Sequence, residues 1–247
     1  MKIACQSDIG KVRTKNEDSV GYFINQAGVV FAIVADGLGA YQGGEVASEM
    51  AVFHLGKAFE QTAFSQSANA ISWLEEQINL ENQKILLTAQ QNQNLTGMAT
   101  TLVVALIFQD EIILANLGDS RGYLLRDDQF VQLTEDHSLV NELVKLGEIS
   151  KEQARNHPQK NKITRTLGIY DNPRLDVKFF EAQANDIVLL CSDGLTNMLA
   201  DEEITAILLQ ETTLKQKVNK LIAAANTAGG KDNITVLLCQ LTKEDSV

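Results

Sequence analysis

An α+β fold with largely antiparallel sheets is what this chain predicts, on three observations. Short apolar runs rich in β-branched residues recur along most of its length. Neighbouring runs are joined by only two polar residues, which is hairpin spacing. Helical periodicity is confined to a few segments, and strands and helices do not alternate regularly as in a parallel βαβ array.

Lys2 to Gln6 is a short, apolar-leaning strand. Val29 to Ala35 (VVFAIVA) is a continuous apolar run, as in a strand buried on both faces. Thr100 to Phe108 (TTLVVALIF) is similar, and Gln109-Asp110 links it tightly to Glu111 to Asn116. Asp127-Asp128 separates Gly122 to Arg126 from Gln129 to Leu133 in the same manner. Leu175 to Phe180, Asp186 to Cys191 and Ile234 to Cys239 complete the set, and Asn16-Glu17-Asp18 precedes a further strand. Glu45 to Phe59 reads as a helix. A second runs from Asn69 to Gln90, with Ile71, Leu74, Ile78 and Ile85 on one stripe. Leu139, Leu143 and Leu146 mark a short helix ending at Gly147. Leu214, Val218, Leu221, Ile222 and Ala225 mark the last, stopped by Gly229-Gly230.

The 247 residues carry no repeat and no linker, so one domain over residues 1–241 with a short tail at 242–247 is the simplest account. The insertion from Ser138 to Gly168 is polar and reads as a surface lobe near the site. The net charge of −11 argues against a nucleic-acid partner, which wants a basic face. Cys5, Cys191 and Cys239 are odd in number and not closely paired, which suggests a reducing compartment. No charged-then-apolar leader opens the chain, and no apolar run approaches the ~20 residues of a membrane span. A cytoplasmic protein without membrane insertion, and a monomer by default, is the expectation.

Three apolar strands end on one feature: VVFAIVADG on Asp36-Gly37, DIVLLCSDG on Asp193-Gly194, IILANLGDS on Gly118-Asp119. A fourth strand begins just after Asp232. A lone Asp-Gly is usually only a turn, because Asp bonds its own backbone and Gly tolerates positive φ. Four such acids are harder to dismiss, since neighbouring strand ends would bring carboxylates together. Burying them unpaired is costly, and a divalent cation resolves the repulsion. Hard oxygen donors suit Mg²⁺ or Mn²⁺. Zinc would want Cys or His, and His54, His137 and His157 do not cluster in ligand spacing, so each is assigned a surface or capping role. An anionic substrate needs a cation, and Arg13, just upstream of Glu17 and Asp18, offers a planar guanidinium; the alternative for Arg13 is an exposed loop charge.

The stretches SDIGKVRTKNED, VADGLG followed by GGEVAS, GMATTL, ANLGDSR, LTEDHSLV, ITRTLG, LLCSDGLTNML and GGKDNITVLL span residues 7 to 238. In that order they resemble the metal-dependent type 2C protein phosphatases, specifically the compact bacterial serine/threonine enzymes. The resemblance implies a four-layer sandwich, two mostly antiparallel sheets with helices on both outer faces. It implies that Asp36 bridges two metals, that the Gly37 carbonyl completes one shell, and that Asp193 and Asp232 hold the other ion. Glu17 and Asp18 would act through metal-bound waters, Asp119 with Asp193 would hold a third, weaker ion, and Arg13 would bind the substrate phosphate. Residues 138–168 would form a flap. The implied reaction is in-line attack of a metal-bridging hydroxide on phosphoserine or phosphothreonine of proteins, opposing a bacterial serine/threonine kinase.

One departure stands out. Bacterial members read Asp-Gly-Met-Gly-Gly-His where this chain has Asp36-Gly37-Leu38-Gly39-Ala40-Tyr41. An ordinary Tyr pKa near ~10 makes Tyr41 a poor proton donor at neutral pH. The general acid is left unassigned, with a metal-bound water the expected donor and activity expected below that of relatives with the histidine. Ala99 also replaces a frequent glycine, with a packing consequence only. Two competing readings are a catalytically silent metal- and phosphoprotein-binding module and a two-metal phosphoesterase acting on other substrates. A nucleotide-binding loop at Gly229-Gly230-Lys231 fails, because no Ser or Thr follows the lysine.

Overall fold

A computed structural model describes residues 1–39 and 43–242; Ala40, Tyr41 and the tail beyond 242 lie outside them. In chain order the elements are β1 (Lys2–Asp8), β2 (Asp18–Ile24), β3 (Val30–Leu38), α1 (Gly43–Glu60), α2 (Ser67–Gln91), β4 (Ala99–Thr100), β5 (Leu102–Ile107), β6 (Glu111–Leu117), β7 (Arg121–Arg126), β8 (Gln129–Gln132), α3 (Leu139–Lys145), α4 (Lys151–Arg155), β9 (Asp176–Glu181), β10 (Ile187–Cys191), α5 (Asp193–Thr196), α6 (Asp201–Leu208), α7 (Leu214–Thr227) and β11 (Ile234–Gln240).

These strands form two sheets. One has the order β1-β11-β10-β7-β8, the other β2-β3-β5-β6-β9 with β4 beside β3, and neighbours pair antiparallel throughout. The period-2 alternation of β3 shows how the layers are built. Phe31, Ile33 and Ala35 face Ala51, Leu55, Phe59, Leu74 and Ile78 of α1 and α2. Val30, Ala32 and Val34 face Val188, Leu190, Leu237 and Cys239 of the opposite sheet. That strand's double burial is why it reads as an unbroken apolar run. Leu189, Val236 and Leu238 turn outward to Leu195, Ile204, Leu208, Val218 and Leu221 of α5, α6 and α7. The result is the expected α+β sandwich of four layers. Each fully buried Val, Leu, Ile or Phe contributes ~1.5–3 kcal/mol.

The two hairpin signals hold. Asp127 and Asp128 sit at φ +48° and +62°, the left-handed pair that a two-residue turn demands. Gly229 and Gly230, at φ +140° and +53°, end α7. Other expectations are corrected. β3 does not stop at Ala35. It continues through Asp36-Gly37 to Leu38, because Gly37 and Leu38 pair with Thr100 and Ala99 of β4. The expected Thr100–Phe108 strand is broken at Thr101, whose amide and hydroxyl serve the Asp36 carbonyl (2.9 Å) and amide (3.0 Å) instead. On α3 the buried residue is Val140, and Leu146 of the expected stripe is 73% exposed, since only one side of this short helix is seated. α4 and α5 are too short to show periodicity, and α6 carries only the single stripe Ile204, Ile207 and Leu208.

Residues 138–168, which hold α3 and α4, are tied down at both ends, by a bridge of Ser138 to Ile163 and another of Thr100 to Leu167. Among the described residues, no helix is long and apolar enough to cross a membrane.

Candidate metal and phosphate site

Pairing register brings the acids to one end of the sandwich. Asp18 stands directly opposite Asp36. Leu117, the last residue of β6, stands opposite Leu102 of β5, and Gly118 at φ +113° then turns the chain into Asp119. A Cβ on Gly118 would lie 2.6 Å from the Thr101 side chain, so only glycine makes this turn. β10 leads through Ser192 to Asp193, the first residue of α5. Asp232 lies just ahead of β11.

Their proximity registers as mutual repulsion. The Asp36 carboxyl is held well above the usual carboxylate range, first by burial and then by Asp18, Asp193, Asp119 and Asp232. Burial and then Asp193 push Asp119 up in the same way. Asp193 is raised to about 6 by burial and by Asp232. Asp18 is raised to about 7 by burial, although Thr235 and Ser192 donate to its Oδ2 at 2.6 and 2.7 Å and oppose the shift. Those two bonds stitch β2 to the opposite sheet. Asp18 Oδ1 and Asp119 Oδ1 are buried and have no hydrogen-bond partner.

Arg13, in the loop between β1 and β2, grips Asp232 as a fork. Its Nε lies 2.9 Å from Oδ1 and its Nη2 2.9 Å from Oδ2. Gly37 donates its N–H to the Glu17 carbonyl at 3.0 Å, and a Cβ there would strike the Gly44 carbonyl. The carboxylate of Glu17 lies over the start of α1, 2.7 Å from where a Cβ of Gly44 would be. Burial raises the Glu17 pKa, while Arg13 and Lys15 pull it down.

All eight singled-out residues, Arg13, Glu17, Asp18, Asp36, Gly37, Asp119, Asp193 and Asp232, therefore lie in one region. As the side chains stand, no three His, Cys, Asp or Glu groups among the described residues converge at metal-ligand spacing. Asp232 is turned onto Arg13, and Asp18 Oδ2 onto Ser192 and Thr235. The donor chemistry nonetheless fits Mg²⁺ or Mn²⁺. It consists of carboxylate oxygens, two of them orphaned, with Asp18, Asp36, Asp119 and Asp193 raised by burial and then by neighbouring acids and no imidazole or thiolate among them.

Two residues were missed or misassigned at the sequence level. Asn233 is buried, accepts the Glu17 amide at 2.8 Å, and donates to the carbonyls of Ile9 (3.0 Å) and Lys15 (2.8 Å). It latches the Arg13 loop to the start of β11. The only sequence signal was its place after Asp232 within GGKDNITV. His137 is not a surface residue but 3% exposed. Its Nδ1 accepts the Gly118 amide at 3.1 Å and its Nε2 lies 3.0 Å from Asp176 Oδ2. Burial lowers its pKa, so the ring is the neutral form that this amide requires. It supports the backbone immediately before Asp119. His157 accepts the Gln159 amide at 3.1 Å within a turn, and His54 pairs at 2.8 Å with the buried Glu81.

An antiparallel four-layer sandwich with aspartates gathered at one end beside an arginine defines a class, and the class has a match. Residues 10–239 fit the family profile described as protein phosphatase 2C, and the chain belongs to that family and is a protein phosphatase. The serine/threonine phosphatase stp of Listeria innocua is 48% identical over 95% of this chain and 94% of its own length. The S. agalactiae serine/threonine phosphatase superposes with a TM-score of 0.94 at 42% identity, covering 98% of this chain and 99% of that one. The catalytic domain of the serine threonine protein phosphatase PstP, solved with 2 manganese ions, superposes with a TM-score of 0.85 at 34% identity over 98% of each chain.

Proposed function

We propose that this chain hydrolyses phosphoserine and phosphothreonine of proteins with two divalent ions, Mn²⁺ or Mg²⁺, and that the enzyme it opposes is a serine/threonine protein kinase. The observation carrying this reading is that Asp18, Asp119, Asp193 and Asp232 surround the buried Asp36 at one end of the sandwich, burial and then their charges raising its pKa. Asp36, Asp193 and Asp232 would hold the two ions with the Gly37 carbonyl. Glu17 and Asp18 would order the surrounding water, and Asp119 with Asp193 would take a third, weaker ion. When bound, the ions supply the charge that lowers the pKa of water and neutralises phosphoryl oxygens.

The chain's own residues do the positioning. Arg13, whose fork donates to a carboxylate in bidentate fashion, would donate to two phosphoryl oxygens in the same geometry. Asp18, tied to both sheets, fixes their spacing at the site.

Phosphate release from a phosphothreonine peptide is the test. It is expected to need Mn²⁺ or Mg²⁺, to stop with excess chelator and to disappear in Asp193→Ala. No release from folded protein under any metal would replace the enzyme with the silent binding-module reading. Tyr41→His is expected to raise the initial rate, restoring a donor with a pKa near neutrality; a rate unchanged by the exchange would remove position 41 from the proton-donor question.

A further inference from the structure

A cavity of about 200 Å³ opens beside the acidic end of the sandwich, with Leu117, Arg165, Thr166, Tyr170, Asn172 and Arg174 on its walls. None of the roles above uses it. Leu117 directly precedes the Gly118-Asp119 turn and stands opposite Leu102, next to the Thr101 that bonds Asp36. The cavity thus shares a wall with the catalytic end.

Its lining is held in place before any ligand arrives. Leu167 pairs with Thr100. The fully buried Asn82 of α2 accepts the Gly168 amide at 2.8 Å and donates to the Tyr170 carbonyl at 2.7 Å. Gly168, at φ +90°, leaves no room for a side chain, since a Cβ would lie 2.5 Å from the Met98 carbonyl. Arg165 is braced by Asp176 at 2.9 Å.

The chemistry of the lining is donor-rich in a chain of net charge −11. Arg165 has one carboxylate partner, Asp176, which it shares with His137. Arg174 is exposed and has no hydrogen bond or ion pair among the described residues. Thr166 is buried and its hydroxyl has no partner. Of these groups only the Thr166 hydroxyl is buried without a partner, which is costly, and the Arg174 guanidinium stands beside it with no protein acceptor among the described residues. An oxyanion supplies what is lacking.

We propose that this cavity is a second anion subsite, taking an oxyanion carried by the substrate protein close to the phosphoresidue being hydrolysed. Phosphoryl and carboxylate groups share the required chemistry, and a guanidinium donates to either in bidentate fashion. The proposal rests on the phosphoprotein reading given above. It gives the enzyme a way to select sites that are flanked by acids or phosphorylated more than once.

The test is kcat and KM on phosphothreonine peptides in which a second residue, walked along both flanks, is Ala, Glu or phosphoserine. Wild type, Arg174→Ala and Arg174→Glu are compared. At the flank that reaches the cavity, the anionic peptide is expected to show a KM about tenfold below that of its Ala counterpart, the size of one charge-assisted bond. Arg174→Glu is expected to abolish that preference. Its kcat on the Ala peptide and its turnover of para-nitrophenyl phosphate should be unchanged. Preference for Glu as strong as for phosphoserine identifies a carboxylate subsite, and preference for phosphoserine alone a phosphoryl subsite. Equal KM values across all flanking residues in wild type, or a preference that survives Arg174→Glu, overturns the proposal. If wild type hydrolyses nothing, the function reading fails instead. Fluorescence anisotropy of the same labelled peptides then decides the subsite alone: tighter binding of the anionic peptide, lost in Arg174→Glu, upholds it, and equal binding overturns it.

Discussion

Asp36→Asn is expected to lower phosphopeptide turnover by at least about 10²–10³-fold, the scale of losing one preorganised electrostatic group, and at the same time to raise the thermal midpoint in chelator. The two effects have one cause. Asp36 lies among four other aspartates, and burial plus their charges hold its pKa far above the ordinary value. Without a cation, an ionised Asp36 destabilises the fold, and the neutral amide removes that repulsion. The sign follows for its neighbours. Asp18 at about 7 and Asp193 at about 6 bind their protons more tightly folded than unfolded. Their contribution is fully present below the ordinary value near 3.8 and is lost as pH rises through about 6 to 7. In chelator, wild type should therefore melt at a lower temperature at pH 8 than at pH 5, Asp36→Asn should narrow that gap, and Mn²⁺ should reverse it for wild type. Scanning calorimetry at the two pH values reads all three. A variant that melts no higher than wild type at pH 8 in chelator would show that the acids are not crowded enough to matter.

Asn233→Ala is expected to cost about 2–4 kcal/mol of stability and to lower kcat/KM. One carboxamide serves the Glu17 amide and the carbonyls of Ile9 and Lys15. Its loss leaves these groups without their partner, at ~1–3 kcal/mol for each buried group, partly recovered by water. The loop it releases carries Arg13 and Glu17, so with the phosphate-binding role proposed for Arg13 the damage is expected to extend to phosphate orientation. Urea unfolding and steady-state kinetics measure the two parts. Wild-type stability with an unchanged KM would mean that the loop is held elsewhere.

Much of the fold was legible because its central strands are buried on both faces. Val30 to Ala35 and Leu102 to Ile107 are apolar without interruption, and Ile234 to Cys239 is broken only by Thr235. The acids were legible as a set because each follows or precedes such a run. Their local geometry was not. Asp36-Gly37 carries ordinary turn chemistry, yet pairing with β4 draws it into the strand. Asp193 opens a helix of a single turn, too short to leave a periodic trace. Asn233 and His137 owe their importance to partners distant in the chain, such as Glu17 and Gly118. A polar residue's neighbours in sequence say nothing about such partners.

The pairing of β1 with β11 bears on when this enzyme comes into being. Lys2 stands opposite Gln240 and Asp8 opposite Ile234, so the first strand made waits for the last. Sheet neighbours β2, β3, β5 and β6 all lie within the first half of the chain and have their partners early in synthesis. The other sheet does not, and Thr235, one of the two residues that bond Asp18, arrives with β11. Such long-range closure is slow and late. A chain still growing on the ribosome thus holds Asp18, Asp36 and Asp119 before Asp232 and the Asn233 latch exist, and on the site roles proposed above phosphatase activity is expected only once β11 has been delivered.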